Sequence, residues 1–219
     1  MAHPDPPLID EAFEKTWKEK HPLGYVEHRQ YWHPSGEFGA WVLGHNAVIK
    51  INDTLFLHGG IGPAYAQLSL QELNSRVRAE LTNPRDYEER MVESEEGPLW
   101  YRGFSDAQGE EPPHLQALLE KHQVRRIVVG HTPGFGTIVP RLDSKVLVID
   151  SGIADYYGGY QASLLIEGNE FFTVQSGEQI PLPSNDDEAT AYLNRMAELD
   201  TKVDSLRALV KFREDAQAS

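Results

Sequence analysis

The sequence predicts a mixed α/β fold. Three observations carry that prediction. Short apolar runs break off at or near glycine (LFLHGG at 55–60, VVGHTP at 128–133, VIDSGI at 148–153), hairpin patterns stand at both ends of the central stretch, and amphipathic helical segments lie between them.

In chain order, residues 8–20 read as a short helix, with Leu8, Ile9, Ala12, Phe13 and Trp17 near helical spacing until Pro22 and Gly24 stop it. A polar loop is expected through His33, Pro34 and Gly36. Residues 41–43, 47–51 and 54–57 read as short strands separated by Gly44-His45-Asn46 and Asn52-Asp53, giving an antiparallel hairpin that ends at His58-Gly59-Gly60. Ser69 with Glu72 three residues on makes a capping box for a helix striped by Leu70, Leu73, Val77 and Leu81. A second helix is expected over 114–123, strands over 126–129 and 145–150, and a hairpin of 161–166 with 170–174 around Gly168-Asn169.

Composition narrows the function classes. The 219 residues, 40% hydrophobic and 25% charged, match an ordinary globular mixture rather than a collagen, a repeat array or a largely disordered chain. A net charge of −14 repels nucleic acid and anionic membranes. The absence of cysteine excludes disulfide and thiolate chemistry. No window reaches the roughly 18–20 apolar residues of a membrane span, and the Pro-rich acidic start lacks the pattern of a signal peptide. The chain as written is expected to be soluble and cytoplasmic, or periplasmic if a further segment precedes it.

Chemistry concentrates at strand ends. His58 in LFLHGG and His131 in VVGHTP both follow an apolar strand beside glycine, where the backbone is fixed and a ligand or metal can approach. Each reads as a metal ligand, a catalytic group or a hydrogen-bonded loop histidine. Arg102, bracketed by glycines after Trp100-Tyr101, reads as a phosphate or carboxylate clamp, or as a partner of Glu95 or Glu96. Asp150 reads as a ligand, a support for a histidine, or a turn cap, and the Tyr156-Tyr157 pair as pocket lining or packing.

FLHGGI, GPLWYRG, VVGHTP and VIDSGI…YYGG, in this order and spacing, resemble calcineurin-like metallophosphoesterases related to the serine/threonine phosphoprotein phosphatases, the Shewanella-like group in particular. The resemblance covers about residues 25–175. It implies a layered metallophosphatase-type β-sandwich flanked by helices, within a domain over 1–180. It also implies phosphomonoester or phosphoprotein hydrolysis by a hydroxide held on two divalent metal ions (manganese, iron or zinc), the ions offsetting the global negative charge. His58 and His131 would ligate one ion, Arg102 would clamp the phosphoryl oxygens, and Tyr156 or Tyr157, Tyr157 in first place, would approach the metals.

The group's GDxHG, GDxxDRG and GNHE motifs, which precede HGG and supply most ligands, do not occur in this sequence, and Gly44-His45-Asn46 does not replace GNHE. The expected fold therefore lacks its N-terminal strands, and Asp150, Asp155 or Asp53 would have to compensate. The readings left open are a truncated enzyme, a non-catalytic binding or scaffold module, and a dinucleoside-polyphosphate hydrolase of the same superfamily. Beyond a linker at 181–187, one amphipathic helix over 188–215 carries Tyr192, Met196, Leu199, Val203, Leu206 and Val210 at heptad spacing. It would dock on its own domain or mediate self-association.

Overall fold

A computed structural model describes residues 9–83, 86, 88–106, 111–200 and 202–217. Backbone contacts divide the chain into two compact units, at Met1–His45 and Asn46–Ser219.

Among its described residues the first unit holds three short helices, α1 (Glu11–Lys20), α2 (Tyr25–Tyr31) and α3 (Glu37–Leu43). Asp10 caps α1 by accepting the Phe13 N–H at 2.8 Å. Two expectations fail here. The polar loop after Gly24 is the helix α2, and the apolar triplet 41–43, expected as a strand, is the last turn of α3. Three apolar residues in a row fit a helix end as well as a strand; the turn Gly44-His45 closes back onto Ala40 and Val42 through backbone hydrogen bonds. Aromatic ladders run along the unit, with Trp17 stacked on His21 at 3.6 Å and His21 edge-on to Tyr25 at 4.4 Å.

The second unit contains a five-stranded sheet in the order β1-β2-β3-β5-β4, formed by β1 (Val48–Ile51), β2 (Thr54–Leu57), β3 (Arg126–Val129), β4 (Val139–Arg141) and β5 (Val146–Val148). β2, β3 and β5 are parallel; β1 and β4 are antiparallel edges. β5 and most of β3 are buried, which is why they read as unbroken apolar runs rather than alternating ones. β4 is not legible in the sequence because Pro140 sits in it, and proline is tolerated only where an edge needs no donor. A separate three-stranded meander joins β6 (Ala162–Glu167), β7 (Glu170–Gln175) and β8 (Glu178–Pro181), the first two being the expected hairpin.

α4 (Leu70–Thr82) starts with the predicted capping box, both of whose bonds form, and buries Leu73 and Val77, while Leu81 stays exposed. Glu80 on the same helix is fully buried. Its carboxylate accepts Arg76 Nε at 2.7 Å and the Val92 N–H at 2.9 Å, fastening the loop after α4. α5 (Leu115–His122) adds Leu115, Leu118 and Leu119 to the core.

The single C-terminal helix expected over 188–215 is two helices, α6 (Asp186–Leu199) and α7 (Asp204–Gln217). Between them the Asp200 side chain accepts the Lys202 N–H at 3.0 Å, a local bond that competes with continuing the helix. Tyr192, Met196, Val203, Leu206 and Val210 are buried in the unit's own core, so the heptad spacing records a helix pair folded back on the domain. No helix among the described residues is long and apolar enough to cross a membrane.

Candidate active site

The parallel register of β2, β3 and β5 sets Leu57 beside Val129 and Val129 beside Val148. The residues that follow them, His58, Gly130-His131 and Ile149-Asp150, therefore emerge together at the carboxyl edge of the sheet, where ligands of such sheets collect. Two backbone bonds hold this edge, from the Gly130 N–H to the His58 carbonyl at 2.9 Å and from the Ile149 N–H to the Val129 carbonyl at 2.8 Å.

The GPLWYRG segment lies directly on the HGG turn. The Gly59 N–H donates to the Pro98 carbonyl and the Gly62 N–H to the Glu96 carbonyl, each at 2.9 Å. Gly60 needs its missing side chain here: a Cβ would fall 2.6 Å from Cδ1 of Tyr101 and 2.9 Å from Cδ2 of Phe104. Two motifs far apart in sequence are thus one packed object, and its product is the position of Arg102.

Arg102, His131 and His58 form a chain of hydrogen bonds. Arg102 Nη2 lies 3.1 Å from His131 Nε2, and His131 Nδ1 lies 2.8 Å from His58 Nε2. A guanidinium only donates, so His131 Nε2 accepts, its ring proton sits on Nδ1, and that proton is donated to His58 Nε2. Burial, then the neighbouring His58 and the Arg102 cation, push His131 below the usual histidine pKa; Asp150 opposes them and does not prevail. The neutral ring that the bonding requires is the protonation state this field favours. His131 also sits at φ 64°, a left-handed backbone that histidine tolerates better than bulkier residues. Thr132 follows, its hydroxyl 2.8 Å from that of Ser105, whose N–H and hydroxyl both donate to the Arg102 carbonyl. The Trp100 and His131 rings meet in a T-shaped contact at 5.1 Å, and Trp100 is pinned by Nε1–H to the Val92 carbonyl at 2.9 Å.

Of the residues singled out from sequence, His58, His131 and Arg102 meet. Arg102 makes no ion pair with Glu95 or Glu96. Asp150 takes the turn-cap geometry, accepting the Gly152 N–H at 3.1 Å, while remaining close enough for its charge to act on His131. Tyr156 and Tyr157 pack edge-to-face on each other at 5.0 Å, both exposed, and neither makes a ring contact with the histidines. Asp53 stands at the opposite end of β2, paired with Arg125, and is not a substitute ligand; Asp155 opens a short 3-10 turn over Asp155–Tyr157. Ser105, Thr132 and Trp100 join the site without having been singled out from sequence. The only sequence signal for them is adjacency to the recognised motifs.

A metal centre requires more donors than this edge provides. Two imidazoles converge, but among the described residues no group of three or more His, Cys, Asp or Glu side chains is placed to hold an ion. The facing nitrogens are 2.8 Å apart, whereas two nitrogens on a tetrahedral zinc at about 2.0–2.1 Å stand about 3.3 Å from each other. The hydrogen bond would have to open and its proton leave for both rings to bind one ion. Two imidazoles alone, among the described residues, do not make a complete metal site.

No protein-family model matches the chain. It is 34% identical over 147 residues to the uncharacterized protein C1840.07c of Schizosaccharomyces pombe, covering 64% of this chain and 44% of that protein. It is 28% identical over 111 residues to Shewanella-like protein phosphatase 1 of Plasmodium berghei, covering 45% of this chain and 30% of that protein. Among solved structures, it superposes on the cold-active protein-tyrosine phosphatase of a psychrophilic Shewanella with a TM-score of 0.62 at 26% identity, over 80% of this chain and 53% of that one. A point mutant of a cold-active protein-tyrosine phosphatase gives a TM-score of 0.63 at 25% identity, with the same coverage. The chain thus spans less than half the length of these curated relatives and about half of the solved structures. It is similar in sequence and in its mixed α/β fold to proteins named as phosphatases.

Proposed function

We propose that this chain contributes the Arg102–His131–His58 portion of a phosphomonoesterase site. The observation that carries this reading is the arginine. Its cation is held at the carboxyl edge of a parallel sheet, against a neutral imidazole, with no carboxylate neutralising it among the described residues. A guanidinium in that state offers its remaining N–H groups to a phosphoryl dianion. The likeness to a Shewanella-like protein phosphatase and to a protein-tyrosine phosphatase supports phosphorylated protein side chains as the substrate class.

The steps this chain performs are binding and orientation. Arg102 takes phosphoryl oxygens; the Ser105–Thr132 pair holds its backbone; His131, kept neutral, gives the phosphate no second positive charge and fixes the guanidinium through Nε2 while its Nδ1–H is held by His58. The two-ion hydroxide implied by the resemblance needs donors that the described residues do not bring together, and no step is assigned to it. A non-catalytic phosphate-binding module is the competing reading, favoured by that missing third donor.

The test is hydrolysis of p-nitrophenyl phosphate by the purified chain as manganese is added, beside bound-metal analysis, in wild type, His58→Ala and His131→Ala. The enzymatic reading expects metal-dependent turnover that both variants abolish with little loss of stability. Phosphate binding without turnover would establish the non-catalytic module, and turnover unchanged in both variants would remove the histidines from the site.

A further inference from the structure

Beside Arg102 lies an open cavity of about 600 Å³, lined by Glu95, Glu96, Trp100, Tyr101, Arg102 and Gly103. It holds charges of both signs that do not pair with each other. Arg102 turns to His131, and the Glu95 carboxylate makes no hydrogen bond or ion pair among the described residues. Glu96 differs: one of its oxygens accepts the Ala64 N–H at 2.7 Å, so it shapes the wall. Trp100 is 46% exposed yet held in place, its Nε1–H tied to the Val92 carbonyl and its ring in T-shaped contact with His131. A cation, an uncommitted carboxylate and a rigid exposed indole around one cavity match a ligand with a negative and a positive end.

We propose that this cavity is a substrate subsite for a positively charged group, so that the preferred phosphomonoesters carry a cation next to the phosphoryl group. The inference rests on the reading of Arg102 as the phosphoryl clamp. With the phosphate on Arg102, the cation meets the Glu95 carboxylate and the Trp100 face, an arrangement that favours ammonium and guanidinium groups over neutral ones. The chain's net charge of −14 adds to that preference and opposes anionic flanks. Two sources share this chemistry: an aminoalkyl phosphate, and a phosphorylated residue with a lysine or arginine beside it.

The experiment is isothermal titration of the full chain with matched pairs at low salt. One pair is O-phosphoethanolamine against ethyl phosphate; the other is a phosphoserine peptide with arginine next to the phosphoserine against the same peptide with alanine there. A cation–π contact and one exposed ion pair together predict about five- to twentyfold tighter binding of the cationic member. That ratio should fall toward one in Glu95→Gln and shrink with added salt. Preference in the first pair alone identifies a small substrate, and preference in the peptide pair identifies a phosphoprotein. A ratio of one in both pairs, with phosphate still bound, overturns the subsite and leaves the phosphatase reading standing. A preference undiminished by Glu95→Gln overturns the assignment to this cavity. Absence of any phosphate binding overturns both.

Discussion

Replacing Gly60 with alanine tests whether the HGG turn and the GPLWYRG segment are one unit. The added Cβ meets the Tyr101 ring at 2.6 Å and the Phe104 ring at 2.9 Å. Gly60 is not in a left-handed conformation, so the cost comes from packing and not from the backbone. Phe104 is fully buried and cannot yield without disturbing the core, so Tyr101 and the loop that carries Arg102 must move. Overpacking of this kind costs about 1–3 kcal/mol, of a total stability on the order of 5–15 kcal/mol. For a chain of this size that corresponds to a fall in Tm of roughly 4–8 °C at 2 kcal/mol. The assay is thermal and urea unfolding of Gly60→Ala, with phosphate binding measured alongside, and affinity should fall because Arg102 is displaced. Wild-type stability together with wild-type phosphate affinity would refute the claim that Gly60 sets the position of Arg102.

Glu80 supplies a prediction with a pH signature. Burial alone would raise its carboxyl, but Arg76 and the backbone N–H groups of Val92 and Met91 outweigh burial and hold it below the usual glutamate value. A carboxyl depressed in the folded state contributes stability above its unfolded pKa of ~4.3, and loses it as pH falls through the lower folded value. Glu80→Ala should cost about 2–4 kcal/mol at pH 7, from the lost charge-assisted bonds and the cavity, and should flatten the decline of the urea midpoint below about pH 4.5. An unchanged acid limb would mean that Glu80 does not govern it. At the site, nitrogen-15 spectra at neutral pH should show the His131 proton on Nδ1 and an unprotonated Nε2; the opposite tautomer would break the hydrogen-bond chain from Arg102.

Where a residue's neighbours in sequence decide its structure, the sequence is readable. The Ser69–Glu72 capping box forms, as do the β1–β2 and β6–β7 hairpins, because each is a local device. The triplet 41–43 misleads, since three apolar positions do not separate a period of 3.6 from one of 2, and the helix at 25–31 reads as a polar loop because it has no buried residue to mark a period. The seam from Tyr192 to Val210 keeps its spacing across a break that Asp200 imposes locally, so a periodic pattern suggests one helix where there are two. At the site, His58, His131 and Arg102 are legible as strand-end or glycine-flanked residues. Their mutual contacts are not, since those depend on the parallel register of β2, β3 and β5, which joins segments distant in the chain. Trp100 and Ser105 become site residues only through that register, and Asp53 stops being one through it.

The most direct test of the account is the affinity of the chain for inorganic phosphate, measured by titration calorimetry in wild type and in Arg102→Ala. A charge-assisted contact of this kind is worth about 1.5–3 kcal/mol, so the variant should bind phosphate roughly 10- to 150-fold more weakly while unfolding at the wild-type temperature. Equal affinity in the two proteins would show that Arg102 is structural and that the phosphate-binding site lies elsewhere.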